Sequence, residues 1–271
     1  MPFLDRGDCR IYYETAGSGA AILFLHGLGG SHISWWQQVA HFSPRYCCIT
    51  FAHRGFPPST TPNGGVDPDR FAGDLEAIID LLDLEDVRLV AQSMGGVAAI
   101  EYTVRFPHRV VALVLSGTLG PLAHPDLQRA LAAGRAQLAE RRDEARAAGF
   151  NLAAGARLAR EQPALDVLYR GIDAMSSHLD KATLRDALAV PSIPTGDLNR
   201  TGVPMLWIFG GEDPQVMPGI ATPDAVRLVM SEFPGSRIEV VPDAGHSVYF
   251  ERASVFNALL DDFLLALPKR R

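Results

Sequence analysis

The chain alternates between short apolar runs bounded by turn signals and longer stretches with helical spacing. Ala21-Ile22-Leu23-Phe24-Leu25-His26 and Tyr46-Cys47-Cys48-Ile49-Thr50-Phe51 are nearly continuous in apolar character. That is the pattern of strands covered on both faces. Val87 to Ala91, Val110 to Leu115, Met205 to Phe209 and Ile238 to Val241 repeat it, and Arg10-Ile11-Tyr12-Tyr13-Glu14 reads as an early antiparallel strand. Between them, Asp69 to Leu82 places Phe71, Leu75, Ile78, Ile79 and Leu82 at helical spacing, and Gly96 to Tyr102 is helix-like. Ala253 to Leu267 closes the chain as an amphipathic helix. Strands alternating with helices predict an α/β fold, a mostly parallel sheet with helices on both faces.

One stretch breaks the alternation. From Gly120 to about Gly202 no strand is expected; Leu127 to Ala148, Arg157 to Leu168 and Lys181 to Leu188 read as helices, and Pro191 to Gly196 as a linker. An all-helical insertion between two strands sits naturally over the strands' C-terminal ends, where ligands bind in such sheets. Residues 120–202 are therefore expected to form a helical cap on a core made of residues 1–119 and 203–271. Its leucines, Met175 and Tyr169 suggest an apolar or aromatic substrate portion. The chain's plentiful Ala and Arg need no functional explanation.

Composition narrows the class. Hydrophobic residues make up 47% of the 271 positions, enough for a full core. No apolar stretch approaches the roughly 20 residues of a membrane span. The opening Met1-Pro2-Phe3-Leu4-Asp5-Arg6 lacks the apolar run of a secretory signal. A net charge of −6 argues against a nucleic-acid partner, and the basic Lys269-Arg270-Arg271 reads as a solvated terminus. Three cysteines, Cys9, Cys47 and Cys48, make a poor disulfide framework. The expectation is a cytoplasmic protein acting on a small molecule, with neither membrane nor nucleic acid as partner and a homodimer left open.

The chemistry gathers at predicted strand ends. Ala91-Gln92-Ser93-Met94-Gly95 lies between a strand and a helix, the context of a nucleophile elbow, where a strained turn exposes the serine hydroxyl above the strand. Gly210-Gly211-Glu212-Asp213-Pro214 follows one later strand and Pro242-Asp243-Ala244-Gly245-His246-Ser247 follows another. A serine hydroxyl needs an adjacent base at neutral pH, and an imidazole titrates in the right range. Ser93, Asp213 and His246 thus form a candidate triad, Asp213 holding the histidine tautomer. Glu212 and Asp243 are rival acids. A tetrahedral intermediate also needs N–H donors. Met94, directly after the serine, and Leu28, in the loop His26-Gly27-Leu28-Gly29-Gly30, are the candidates. Trp35, Leu119 and Val216 are candidate pocket residues. No His, Cys or carboxylate cluster has metal-ligand spacing, and no cofactor motif is present.

Taken together, His26 to Gly30, His53-Arg54-Gly55, Ala91 to Gly96, Gly210 to Asp213 and Ala244-Gly245-His246 resemble the α/β-hydrolase fold superfamily over nearly the whole chain. The closing Phe250-Glu251-Arg252, Phe256-Asn257 and Phe263-Leu264 are similar too. The resemblance implies an eight-stranded sheet, a helical cap after the sixth strand and a Ser-Asp-His triad. It lies nearest the small capped esterases, enol-lactonases, C–C bond hydrolases and cofactor-free haloperoxidase-like enzymes. Relatives usually carry Asp where this chain has Ala52, and Gly-x-Gly-x-Ser where it has Gly55-Phe56-Pro57-Pro58-Ser59. Two prolines fix φ and remove donors, so a reshaped loop is expected there. Ester or lactone cleavage through an acyl-enzyme is the leading expectation. C–C hydrolysis, lyase or cyclase chemistry on the same triad, and a non-catalytic ligand sensor, are the alternatives.

Overall fold

A computed structural model describes residues 2–61, 65–214, 216 and 220–268; the basic tail at residues 269–271 lies outside them. The strands are β1 (Phe3–Asp5), β2 (Arg10–Ala16), β3 (Ala21–Leu25), β4 (Cys47–Phe51), β5 (Val87–Gln92), β6 (Val110–Ser116), β7 (Leu122–Ala123), β8 (Ile193–Pro194), β9 (Met205–Gly210) and β10 (Arg237–Val241). The helices are α1 (Trp36–Phe42), α2 (Phe71–Leu81), α3 (Gly95–Arg105), α4 (Pro125–Ala147), α5 (Gly155–Glu161), α6 (Pro163–Ala174), α7 (Lys181–Leu188), α8 (Thr195–Arg200), α9 (Thr222–Glu232), α10 (Val248–Glu251) and α11 (Ala253–Leu265).

Eight strands form one sheet in the order β1-β2-β4-β3-β5-β6-β9-β10. β1, β2 and β4 pair antiparallel, and every later pairing is parallel. Period-2 alternation then sorts side chains to two cores. Leu23 and Leu25 of β3, with Leu89 and Ala91 of β5, join Phe71, Leu75, Ile78 and Ala98 from α2 and α3. Ile22, Phe24 and Val90 point the other way, to Phe42, Val248, Phe256 and Leu260 from α1, α10 and α11. Both faces are dry, which is why these strands read as unbroken apolar runs rather than alternating ones. Each fully buried Leu, Ile, Val or Phe contributes about 1.5–3 kcal/mol against exposure.

The helical stretch after β6 differs from expectation in two respects. Its ends carry a small parallel pair, β7 with β8, where no strand was expected. There the Pro121 carbonyl accepts from the N–H groups of Ser192 and Ile193, at 2.8 and 3.0 Å, so entry and exit of the segment are tied together. The helix expected over 157–168 is two, α5 and α6, broken at Gln162. Pro163 cannot donate into a preceding turn, but its fixed φ suits the first position of a new helix.

The altered turn after β4 is also accounted for. With Ala52 in place of an acid, the Arg54 guanidinium takes its carboxylate from α2: Nε and Nη2 each reach Asp74 at 2.7 Å. Arg6 adds a bond to Asp74 at 3.2 Å, and both members of the central pair are buried. The Ser59 hydroxyl donates to the Ala52 carbonyl at 2.7 Å and accepts the Tyr12 N–H at 2.8 Å. Phe56 turns fully inward against the His26 ring, centroids 5.1 Å apart. The double-proline loop is therefore tied to the core. Removing one partner of a buried pair strands the other charge. Asp74→Asn is expected to lower the unfolding free energy by about 3 kcal/mol, read from the urea midpoint at constant m-value.

Candidate active site

The site is built where β3, β5, β6, β9 and β10 end. Ser93 follows β5 at φ 49°, in the left-handed region that a side chain rarely adopts. Two backbone bonds hold it there: its N–H donates to the Ser116 carbonyl of β6 at 3.0 Å, and its carbonyl accepts from Gly96 at 2.9 Å. The turn also needs Gly95. A Cβ at that position would lie 2.5 Å from the Leu25 carbonyl oxygen, so glycine lets the start of α3 press against the end of β3.

His246 reaches the same edge from the loop after β10. Its Nδ1 lies 2.8 Å from Oδ2 of Asp213, and both side chains are buried. A carboxylate can only accept, so the ring carries its proton on Nδ1 in this tautomer and leaves Nε2 basic. The two loops are laced together by Gly211 N–H to the Val241 carbonyl at 2.8 Å and Glu212 N–H to the Ala244 carbonyl at 2.9 Å. Gly210 permits this, since a Cβ there would sit 1.9 Å from the Gly245 carbonyl oxygen. The rival acids are engaged elsewhere. Glu212 pairs with Arg157, whose hydrogen bonds hold its carboxyl below the usual range, and Asp243 pairs with Arg252 at 3.1 Å.

Two residues that carried no signal in the sequence on their own hold the histidine loop. The Gln92 side-chain amide donates to the His246 carbonyl at 2.8 Å. The buried Glu251 accepts from the N–H groups of Gly245 and Ser247, at 2.8 and 3.1 Å, and so brackets His246. Burial pushes the Glu251 carboxyl up to about 7, against the opposing pull of those two N–H groups.

Ser93, Met94, Leu28, Val216 and His246 all line one cavity of about 900 Å³. Among the described residues neither the Leu28 nor the Met94 N–H takes part in a backbone hydrogen bond. Trp35 and Leu119, expected at the cleft, are buried in the core instead. Trp35 stacks against Tyr249 with centroids 4.1 Å apart and is fully enclosed, and Leu119 is packed among the residues under α3. Of the residues of this helical segment expected to give an apolar wall, Leu138, Leu152 and Leu188 line the cavity, and Tyr169 lines it while turning its hydroxyl to Ser247 at 3.0 Å. Met175 is 38% exposed and lies off the wall. Residues of the turn from Ala52 to Ser59 do not reach it either. Among the described residues no group of three or more His, Cys, Asp or Glu could hold a metal ion. None of the described helices is long and apolar enough to cross a membrane.

The chain belongs to the alpha/beta hydrolase fold family, which it matches over residues 20–253. It is 28% identical to a non-heme haloperoxidase of Rhodococcus erythropolis, over 97% of this chain and 99% of that protein. It is 26% identical to 3-oxoadipate enol-lactonase 2 of Acinetobacter baylyi, over 94% and 92%. Among solved structures, Est816, described as an N-acyl homoserine lactone degrading enzyme, superposes with a TM-score of 0.76 at 25% identity, covering 97% of this chain and 100% of that one.

The base of the Leu28 loop gives a pH prediction. The His26 Nδ1–H donates to the Gly27 carbonyl at 2.8 Å while Nε2 accepts the His53 N–H at 3.0 Å. Burial holds the His26 pKa down to about 4, below its unfolded 6.5. Stability from neutral His26 is thus present above pH 6.5 and lost as pH falls toward 4. Comparison with His26→Asn cancels Glu251, whose raised pKa acts in the opposite sense. The variant is expected to be less stable at pH 7, and the gap to narrow by about 3 kcal/mol by pH 4, measured by urea unfolding.

Proposed function

We propose that this protein is a serine hydrolase that cleaves a small carboxylic ester or lactone through an acyl-enzyme. The observation that carries the reading is the left-handed Ser93 on the wall of a cavity it shares with His246, whose ring is bonded to Asp213. Ser93 Oγ adds to the substrate carbonyl carbon as His246 Nε2 takes the hydroxyl proton. The oxyanion forms between the N–H groups of Leu28 and Met94, and the imidazolium is held by Asp213. Collapse breaks the bond to the leaving oxygen, which receives the proton from His246. Water then adds to the acyl-enzyme by the same route, releasing the acid and restoring Ser93. Enol-lactonase and lactone-degrading activities among similar proteins support an ester or lactone carbonyl as the target.

On this reading the partner is a small molecule and no cofactor takes part. Residues 120–202 act as a cap on a core of residues 1–119 and 203–271. α4, α6 and α7 supply cavity wall opposite the strand ends, which supports that division. The free cysteines Cys9, Cys47 and Cys48 fit a reducing, cytoplasmic setting.

Ser93→Ala is expected to lower kcat/KM for 4-nitrophenyl butyrate by at least about a thousandfold with the thermal unfolding midpoint retained. Asp213→Asn is expected to lower kcat by about 10⁴-fold through the wrong histidine tautomer. Undiminished turnover in the serine variant would refute the assignment.

A further inference from the structure

Asp213 is not the only buried carboxyl at the His246 loop. Glu251 of α10 is 4% exposed and lies off the wall of the main cavity, at the edge of a separate one of about 270 Å³. Each of its oxygens takes one N–H: Oε2 accepts from Gly245 at 2.8 Å and Oε1 from Ser247 at 3.1 Å, one on either side of His246. Gly245 permits the approach, since a Cβ there would lie 3.0 Å from Oε1 and 3.3 Å from Oε2. The helix that carries Glu251 has only four residues and is held from outside. Gln38 Nε2 donates to the Tyr249 carbonyl at 2.9 Å, Gln37 Nε2 to the Phe250 carbonyl at 3.1 Å and Gln162 Nε2 to the Glu251 carbonyl at 3.3 Å. Three amide side chains thus take up carbonyls that so short a helix cannot pair within itself. α1 steadies α10, α10 steadies the carboxylate, and the carboxylate steadies the two peptide groups that flank His246.

Both bonds need the ionised group. A carboxylate only accepts, so each oxygen suits one N–H; a protonated carboxyl carries a donor hydrogen where the loop offers donors. The titratable groups that face Glu251 are Asp213 and His246 from the two loops, Tyr169 of α6, Tyr249 of α10, and Arg157, Arg160 and Glu212 around the side cavity. No cation pairs with the carboxylate among the described residues. Arg157 is engaged by Glu212 and Glu161, and Arg160 by Glu161. Burial pushes the carboxyl up and the two N–H bonds pull it down, while the charges of Asp213 and His246 act in opposite senses, which leaves it at about 7.

We propose that Glu251 is a positioning residue for His246: as a carboxylate it clamps both flanking peptide groups, and when it takes up a proton the clamp slackens and the imidazole loses its alignment. The proposal rests on the hydrolase reading, in which His246 is the base. It gives the protein two groups that must both be unprotonated for turnover, one that moves the proton and one that holds the first in place.

Glu251→Gln keeps the size but offers one acceptor oxygen and sets an NH2 group against the other N–H. It is expected to lower kcat for 4-nitrophenyl butyrate by about tenfold or more with KM within about twofold, because Glu251 meets no substrate. The pH profile separates this from lost packing. The wild-type log kcat/KM is expected to fall by more than about one decade per pH unit on its acid side, and that of Glu251→Gln by about one. NMR gives a readout that needs no turnover. The amide protons of Gly245 and Ser247 are expected to shift with a common midpoint near neutral pH in the wild type and in His246→Asn, and to lose that midpoint in Glu251→Gln. Unchanged kcat in Glu251→Gln, a wild-type acid limb of about one decade per pH unit, or an amide midpoint that persists without the carboxylate each overturns the proposal. Should Glu251→Gln fail to fold, His246→Asn decides, and amides that no longer titrate there overturn it. Undiminished turnover in Ser93→Ala sinks the hydrolase reading by itself, and the amide titration still decides whether Glu251 clamps the loop.

Discussion

Everything at the candidate site depends on one backbone residue held where it would not choose to be. A non-glycine residue at positive φ costs on the order of 1–3 kcal/mol and persists only when its surroundings over-determine it. At Ser93 the surroundings are specific: the β6 carbonyl of Ser116, the first turn of α3, and a contact between Gly95 and β3 too tight for any side chain. Those partners belong to the sheet centre, where β3, β5 and β6 are dry on both faces, so the strained turn is anchored to the buried core. On the proposed reading, a hydroxyl fixed this way needs no reorganisation when a carbonyl arrives, which is the condition for efficient attack.

The histidine side is organised by different means. Here the chain is made of loops, and precision comes from polar contacts. Gln92 sits next to Ser93 in sequence and bonds the His246 carbonyl, so Ser93 and His246 are referenced to the same strand end. Glu251, one turn into α10, reaches back to both residues flanking His246. A buried carboxyl with a pKa near 7 is costly when charged, and its two N–H bonds are what offset that cost. The His246 loop is thus tied to β5, to β9 and to the helix that follows it.

Legibility followed the physics of each segment. Buried parallel strands show as continuous apolar runs, so the strands from β3 onward in the main sheet were readable, as was the edge they share. Ser93, Asp213, His246, Leu28 and Met94 could be proposed from the sequence because each sits at a fixed offset from such a run. β1, α1 and α9 left weaker patterns, and β7 and β8 are two-residue strands with no periodicity to detect. Trp35 and Leu119 were misplaced for a definite reason: position after a strand end locates a residue near the cleft, while the rotation of a helix or loop decides which way it points. Asp74 and Glu251 make their contacts across 20 and 6 residues and through side chains, which no local pattern encodes.

The helical segment between β6 and β9 shows the same limit in a more consequential form. Its arginines carried no functional reading in the sequence, because composition cannot say which face of a helix meets a cavity. Once α4 and α7 are placed over Ser93, the four-residue spacing of Arg142 with Arg146 and of Lys181 with Arg185 becomes a charged ceiling on an otherwise acidic protein. On the proposed reading the sheet edge holds the reaction centre, and the helical segment holds the groups that meet the rest of the substrate.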